Sequence, residues 1–115
     1  MIVRIGTDVV EVERIERAME NPAFVLRILT PAERATVTGA MRVAGRWAAK
    51  EAIAKAVAVS LSWQDVEILN APGGEPVATV AHPMFEDGSL RLHISISHER
   101  GIASAVAILE RLPQI

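Results

Sequence analysis

Two carboxylates of this chain occupy positions where a carboxylate is costly. Asp8 follows Gly6-Thr7 in the apolar stretch that opens the sequence, and Glu51 lies inside an alanine-rich segment. At about 100° per residue, a helical wheel puts Ala44, Trp47, Ala48, Glu51, Ala54, Lys55 and Ala58 on one face. Glu51 is then at the centre of the stripe expected to be buried. A buried anion must be paired, hydrogen-bonded or metal-bound. Glu51 and Lys55 stand in the favourable i, i+4 order, so a helix-surface ion pair worth ~0.2–0.5 kcal/mol is one reading. The other starts from the concentration of Arg46, Lys50, Glu51 and Lys55 in a segment otherwise made of alanine. Such a set suits a phosphate and Mg²⁺, which takes one or two hard carboxylates together with phosphate oxygens and water. Asp8 carries the same choice, because an aspartate near a strand end also serves as a turn or cap residue.

Ser95-Ile96-Ser97-His98 is a third element of interest. Alternation puts His98 on the side of Leu90, Leu92, Ile94 and Ile96, where it reads as a structural histidine or as a donor to a phosphate. His82 and His93 have no metal-ligand spacing with it. The chain has no cysteine, which excludes a thiolate nucleophile or thiolate zinc site, and no Gly-x-Ser-x-Gly elbow. Gly73-Gly74 is a turn and not a phosphate loop, since no helix follows it.

These residues need elements to hold them. Residues 1–12 read as a buried strand containing Asp8, and Glu11 to Met19 as an amphipathic helix. Asn21-Pro22 breaks the chain before a short apolar turn or helix at Phe24 to Leu29. Thr30-Pro31-Ala32-Glu33 is a capping box with proline at the first helical position. Residues 42–59 form the long helix. Asp65 to Leu69, Val77 to Val80, Leu90 to Ser97 and Ile102 to Leu109 read as strands of an antiparallel meander, the last apolar on both faces as a central strand would be. The last five residues read as a tail. The expectation is a single α+β domain over 1–115: one long alanine-rich helix and shorter helices packed on a mainly antiparallel sheet.

With 115 residues, half of them hydrophobic, and a net charge of −2, the chain can build one real core and is not intrinsically disordered. No uncharged run approaches the ~18 residues needed to span a bilayer. Arg4 and Asp8 stand where a signal peptide needs an apolar core, so the expected location is cytoplasmic. A near-neutral chain has no bulk field for nucleic acid. The charge is uneven: residues 1–55 hold nine Lys/Arg and seven Asp/Glu, and residues 56–115 hold three and seven. An anionic ligand or partner is expected to meet the first part.

Three blocks then resemble the holo-acyl-carrier-protein synthases, the small trimeric class of 4′-phosphopantetheinyl transferases. They are Ile5-Gly6-Thr7-Asp8-Val9-Val10-Glu11, Gly45-Arg46-Trp47-Ala48-Ala49-Lys50-Glu51-Ala52 with Lys55, and Ile94-Ser95-Ile96-Ser97-His98. The resemblance implies transfer of the phosphopantetheine arm of coenzyme A to a serine of an apo acyl carrier protein, releasing adenosine 3′,5′-bisphosphate, in support of fatty acid biosynthesis. It implies that Asp8 and Glu51 hold Mg²⁺, and that Lys55 and His98 join them in the chemistry. Arg46, Lys50, Lys55, Ser97 and His98 are then expected around the coenzyme. It also implies a homotrimer with sites at subunit boundaries, consistent with a strand that is apolar on both faces and too few helices to cover it. Acyl carrier proteins are acidic, so Arg14, Arg17 and Arg27 are the docking candidates. The plain alternative is that the first two only pair with Glu11, Glu13 or Glu20. Two rival classes fit the residues alone: another Mg²⁺ enzyme with water as nucleophile, and a nonenzymatic α+β module whose charged helix is a solvated face.

Overall fold

The second half of the chain alternates in a way that decides how the rest packs. In β5 (Ile102–Arg111), Ala103, Ala105, Ala107 and Leu109 are buried, while Ser104, Val106, Ile108 and Glu110 between them are only half-buried. Small residues on the inner face let a helix lie close. That helix is α4 (Ala40–Val57), which supplies its own small residues, Ala48, Ala49, Ala52 and Ala56, to the contact. The computed structural model describes residues 1–114.

In chain order, β1 (Ile2–Glu11) leads into α1 (Val12–Ala18), α2 (Pro22–Ile28), the single turn α3 (Pro31–Arg34) and α4. The hairpin β2 (Val66–Asn70) and β3 (Pro76–Val80) follows, then β4 (Leu90–Glu99) and β5. Strand order in the main sheet is β1-β5-β4, all antiparallel, with Asp8 opposite Ala105 and Ser97 opposite Ser104. The α+β class and the central position of the last strand are as the sequence reading expects. The meander is not: β2 and β3 form a separate two-stranded sheet, and β1 takes the place beside β5. The 3₁₀ turns at Trp63–Asp65 and Pro83–Phe85 and the β2–β3 hairpin lie between α4 and β4, where a meander would need continuous pairing.

Element ends move by a residue or two. The long helix runs over Ala40–Val57, not 42–59, and stops where Ala58 takes a left-handed conformation at φ 58°. The capping box is present, with the Thr30 hydroxyl accepting from Glu33 N and the Glu33 carboxylate accepting from Thr30 N. Of the expected tail, Arg111 belongs to β5 and Leu112 N donates to Ser89 O, while Ile115 lies outside the described residues. Among the described residues nothing covers the outer face of the main sheet, leaving Ile5 57% and Val9 65% exposed. No helix of the described residues is long and apolar enough to cross a membrane.

Candidate active site

β1 and α4 approach so closely at Gly6 that no side chain fits there. A Cβ on that residue would overlap the Ala52 carbonyl oxygen and lie 2.9 Å from Ala56 N and 3.0 Å from Lys55 Cβ. The contact brings the C-terminal turns of α4 against the strand that carries Asp8, two residues on. Lys55 Nζ donates to Thr7 O at 2.8 Å and reaches Asp8 Oδ1 at 3.3 Å. The Asp8 side chain is 17% exposed and that of Lys55 56%, so the pair sits at the wall of a cleft and not in the core. The cleft measures about 500 Å³, and Thr7, Ser95, Ser97 and Ser104 add hydroxyls to it.

Glu51 is half-buried one turn before Lys55 and therefore on the same side of α4. The Glu51–Lys55 ion pair, one of the two readings of the sequence, is not formed, because the lysine is taken by Asp8 and Thr7. Among the described residues Glu51 has no hydrogen-bond or ion-pair partner; it borders a small hollow beside Leu61 and Trp63. Its expected place at the centre of the buried stripe is wrong. The buried side of α4 runs through Val43, Ala44, Ala48, Ala49, Ala52, Ile53 and Ala56, and Ala54, Lys55 and Ala58 are exposed. An alanine-rich helix is apolar nearly all round, so the sheet and not the sequence chooses its inner face.

Lys50 corrects a second expectation. It offers nothing to a coenzyme, because its ammonium is buried and donates to Ile28 O at 2.8 Å, Glu33 Oε1 at 2.7 Å and Trp63 O at 3.1 Å. An ammonium has three protons, and all three are used. Burial pushes the Lys50 ammonium down from its ordinary value, and the hydrogen bond to Glu33 opposes this. Glu33 is fully buried and also accepts from Thr30 N and Ile68 N, each at 2.8 Å, which ties α3, α4 and β2 together. The capping pattern located Glu33 at a helix start; nothing in the sequence paired it with a lysine 17 residues away.

Arg46 and His98 meet in a second cleft of about 540 Å³, together with Thr36, Arg42 and Asn70. Arg46 Nε donates to Ile68 O at 3.1 Å and its Nη2 to Asn70 Oδ1 at 3.0 Å. Burial lowers its guanidinium from the ordinary value, with Glu33 opposing that and Arg42 adding to it. His98 ends up exposed but lies over α4, its Nε2 2.9 Å from where a Cβ on Gly45 would be. Ser97 and His98 alternate across β4, so the two clefts approach the same strand end from opposite faces. Arg42 is the cleft residue that sequence reasoning missed, having no motif to mark it.

On the first helix, Arg14 lies over the Trp47 ring, 5.6 Å from its centroid. Trp47 stacks in turn on Phe24 at 5.7 Å and Trp63 at 4.6 Å, a column that fixes α1 and α2 on α4. Arg17 pairs with Glu13 at 3.0 Å, as the plain alternative foresees for that residue, in an exposed contact of little energetic weight. Arg27 is exposed.

This geometry can be set beside known proteins. A model of the 4′-phosphopantetheinyl transferase superfamily matches residues 4–108, nearly the whole chain. The chain belongs to this superfamily, among the holo-acyl-carrier-protein synthases. The holo-[acyl-carrier-protein] synthase of Salinispora arenicola is 47% identical over 122 residues, covering 96% of this chain and 100% of that one. The corresponding synthase of Bacillus anthracis, solved in complex with CoA (3′,5′-ADP), superposes with a TM-score of 0.85 at 37% identity, over 97% of this chain and 99% of that one. That of Helicobacter pylori, solved with coenzyme A, gives 0.84 at 32%, over 92% and 99%. The chain is thus an enzyme of the transferase family, with the α+β fold shared by those structures.

Proposed function

We propose that this protein transfers 4′-phosphopantetheine from coenzyme A to a serine of an apo acyl carrier protein, in a Mg²⁺-dependent reaction that releases adenosine 3′,5′-bisphosphate and supports fatty acid biosynthesis in the cytoplasm. The observation that carries the reading is the pairing of Lys55 with Asp8, not Glu51, at the wall of an open cleft. It leaves Glu51 half-buried without a protein cation, one helical turn before the lysine that Asp8 holds. The donor set fits Mg²⁺. Among the described residues no group of three or more carboxylates and histidines could hold a metal unaided, and magnesium does not need one where phosphate oxygens and water complete its shell.

Asp8 and Glu51 would hold the ion, which when bound supplies charge neutralisation to the diphosphate oxygens. Lys55 would add its own positive charge to the same oxygens, giving up part of its contact with Asp8 as they arrive. Arg46 is held rigid by Ile68 O and Asn70 and keeps three N–H groups for a phosphate. His98 and Ser97 would border the bound coenzyme at the end of β4. No nucleophile is needed from this chain, because the carrier serine oxygen attacks the phosphorus nearer the pantetheine. The bond from that phosphorus to the bridging oxygen breaks, and the nucleotide leaves with it.

We infer further that three copies assemble through the uncovered outer face of the β1-β5-β4 sheet, where Ile5 and Val9 are exposed, so that sites lie at subunit boundaries. The acidic carrier protein would dock near Arg14, Arg17 and Arg27, the first of which is held over the aromatic column beside α4. Incubation with coenzyme A, Mg²⁺ and apo carrier protein, followed by mass spectrometry, tests the activity. A carrier protein that gains the phosphopantetheine mass only when Mg²⁺ is present is expected; an unchanged carrier mass, with coenzyme A hydrolysed instead, would transfer the site to a hydrolase.

A further inference from the structure

The cleft between α4 and β2 holds two guanidinium groups, and they are not equivalent. Arg46 is anchored, with two of its donors given to Ile68 O and Asn70. Arg42, one turn earlier on the same helix, is exposed and among the described residues makes no hydrogen bond or ion pair. Its charge presses on its neighbour, helping burial to lower the Arg46 guanidinium. Like charges spaced i, i+4 destabilise a helix by a few tenths of a kcal/mol (~0.2–0.5), and the first turn of α4 holds no acidic residue to relieve them. Among the described residues no carboxylate borders the cleft either, whereas Thr36, Asn70 and His98 add further donors. An open cleft with two cations and, among the described residues, no anion calls for a phosphate, and a guanidinium fork matches two phosphate oxygens at once.

Coenzyme A carries two separate anionic groups: the diphosphate at which transfer occurs, and a monoester on the ribose 3′ oxygen. On the reading above the diphosphate goes to Asp8, Glu51 and Lys55, none of which borders this cleft. We propose that Arg42 reads the 3′-phosphate and sets the preference of this enzyme for coenzyme A over its 3′-dephospho form. The inference rests on the transferase reading above and names the residue that selects its donor. Arg46 would hold the same part of the nucleotide but is tethered to β2, so Arg42 is the group free to close on the monoester.

The test compares the parent with Arg42→Gln and Arg42→Lys, measuring kcat/KM for coenzyme A and for 3′-dephospho-coenzyme A at saturating apo carrier protein and Mg²⁺. The parent is expected to favour coenzyme A at least tenfold. Arg42→Gln should reduce that preference to threefold or less, mainly through KM for coenzyme A. Arg42→Lys, which keeps a charge but not the fork, should fall between. Calorimetry with 3′,5′-ADP against 5′-ADP should show the same loss of discrimination without turnover. Circular dichroism and Tm confirm that the variant is folded, and Arg42→Ala takes its place should the glutamine variant aggregate. A preference unchanged within twofold in the folded variant overturns the assignment, as does a parent that uses both donors equally. A parent that transfers from neither donor refutes the transferase reading itself.

Discussion

Gly6→Ala is the change that most directly couples the fold to the site. The added methyl would overlap Ala52 O and approach Ala56 N at 2.9 Å, both backbone atoms of α4 that cannot rotate away. Comfortable contact needs about 3.5–4.0 Å, so relieving the overlap with Ala52 O takes a retreat of the helix from β1 of about 1.5 Å or more, or a buckled strand. Overpacking of this kind costs ~1–3 kcal/mol, and the rigid neighbours place the estimate at the upper end. In a chain of this size about 3 kcal/mol corresponds to a fall of roughly 10–15 °C in Tm. The same retreat lengthens the reach of Lys55 to Asp8 and Thr7, now 3.3 and 2.8 Å. A misplacement of ~1 Å in a reacting constellation can cost ~10²-fold in rate. The assay is urea unfolding for stability, together with initial rates of carrier-protein modification well below the unfolding temperature. A variant within 0.5 kcal/mol of the parent (a bound set by ordinary surface substitutions of about that size) and within threefold of its rate would refute the argument.

Other outcomes follow from the same contacts. Lys50→Met removes the partner of a fully buried carboxylate and should cost ~3–5 kcal/mol in urea unfolding, far more than loss of the exposed Arg17–Glu13 pair. Glu51→Gln should leave Tm nearly unchanged, since its carboxylate has no protein partner to lose, yet reduce transfer at least a hundredfold and weaken the response to Mg²⁺ titration. Arg14→Glu should raise KM for carrier protein steeply at low salt while coenzyme A binding changes little, with the defect shrinking as salt screens charges beyond ~10 Å. A modest stability loss of ~0.5–1 kcal/mol from its contact with Trp47 should accompany it. Light scattering at micromolar concentration should give three times the chain mass, and Val9→Glu on the open sheet face should lower it.

Much of the architecture was legible because local chemistry and global fold agree. The Thr30–Glu33 capping box, the strict alternation of Leu90 to Ser97 and the apolar run of β5 each carry one structural meaning, and each element lies where expected within a residue or two. The pairing of β1 with β5 was not legible, since it joins opposite ends of the chain and no local pattern encodes it. The wheel failed on α4 for a related reason. Periodicity locates a buried face only when the other face is polar, and here alanine occupies both. Lys50 shows the limit for site residues: its place in a charged run suggested a ligand contact, but the Ile28 carbonyl of α2, the Trp63 carbonyl and the Glu33 carboxylate converge on it from distant parts of the chain. Asp8 and Glu51 stood out because each is a carboxylate in an apolar stretch, and both are at least half-buried in the fold, whereas the contact of Lys55 with Asp8 joins residues 47 apart and had no local signal.

The bond from Lys55 to Thr7 O has a consequence beyond the chemistry of the cleft. β1 is the outermost strand of its sheet, so one margin of it is hydrogen-bonded to β5 and, among the described residues, the other has no strand beside it. Bare margins of this kind invite pairing with foreign strands and aggregation, and a lysine laid across one is a common guard. Lys55 holds a carbonyl of this edge strand with the same ammonium that, on the proposed mechanism, the substrate phosphates would attract. On the proposed mechanism, solubility and turnover therefore draw on one side chain. A chain that loses this lysine is expected to become not only a slow enzyme but also a stickier one.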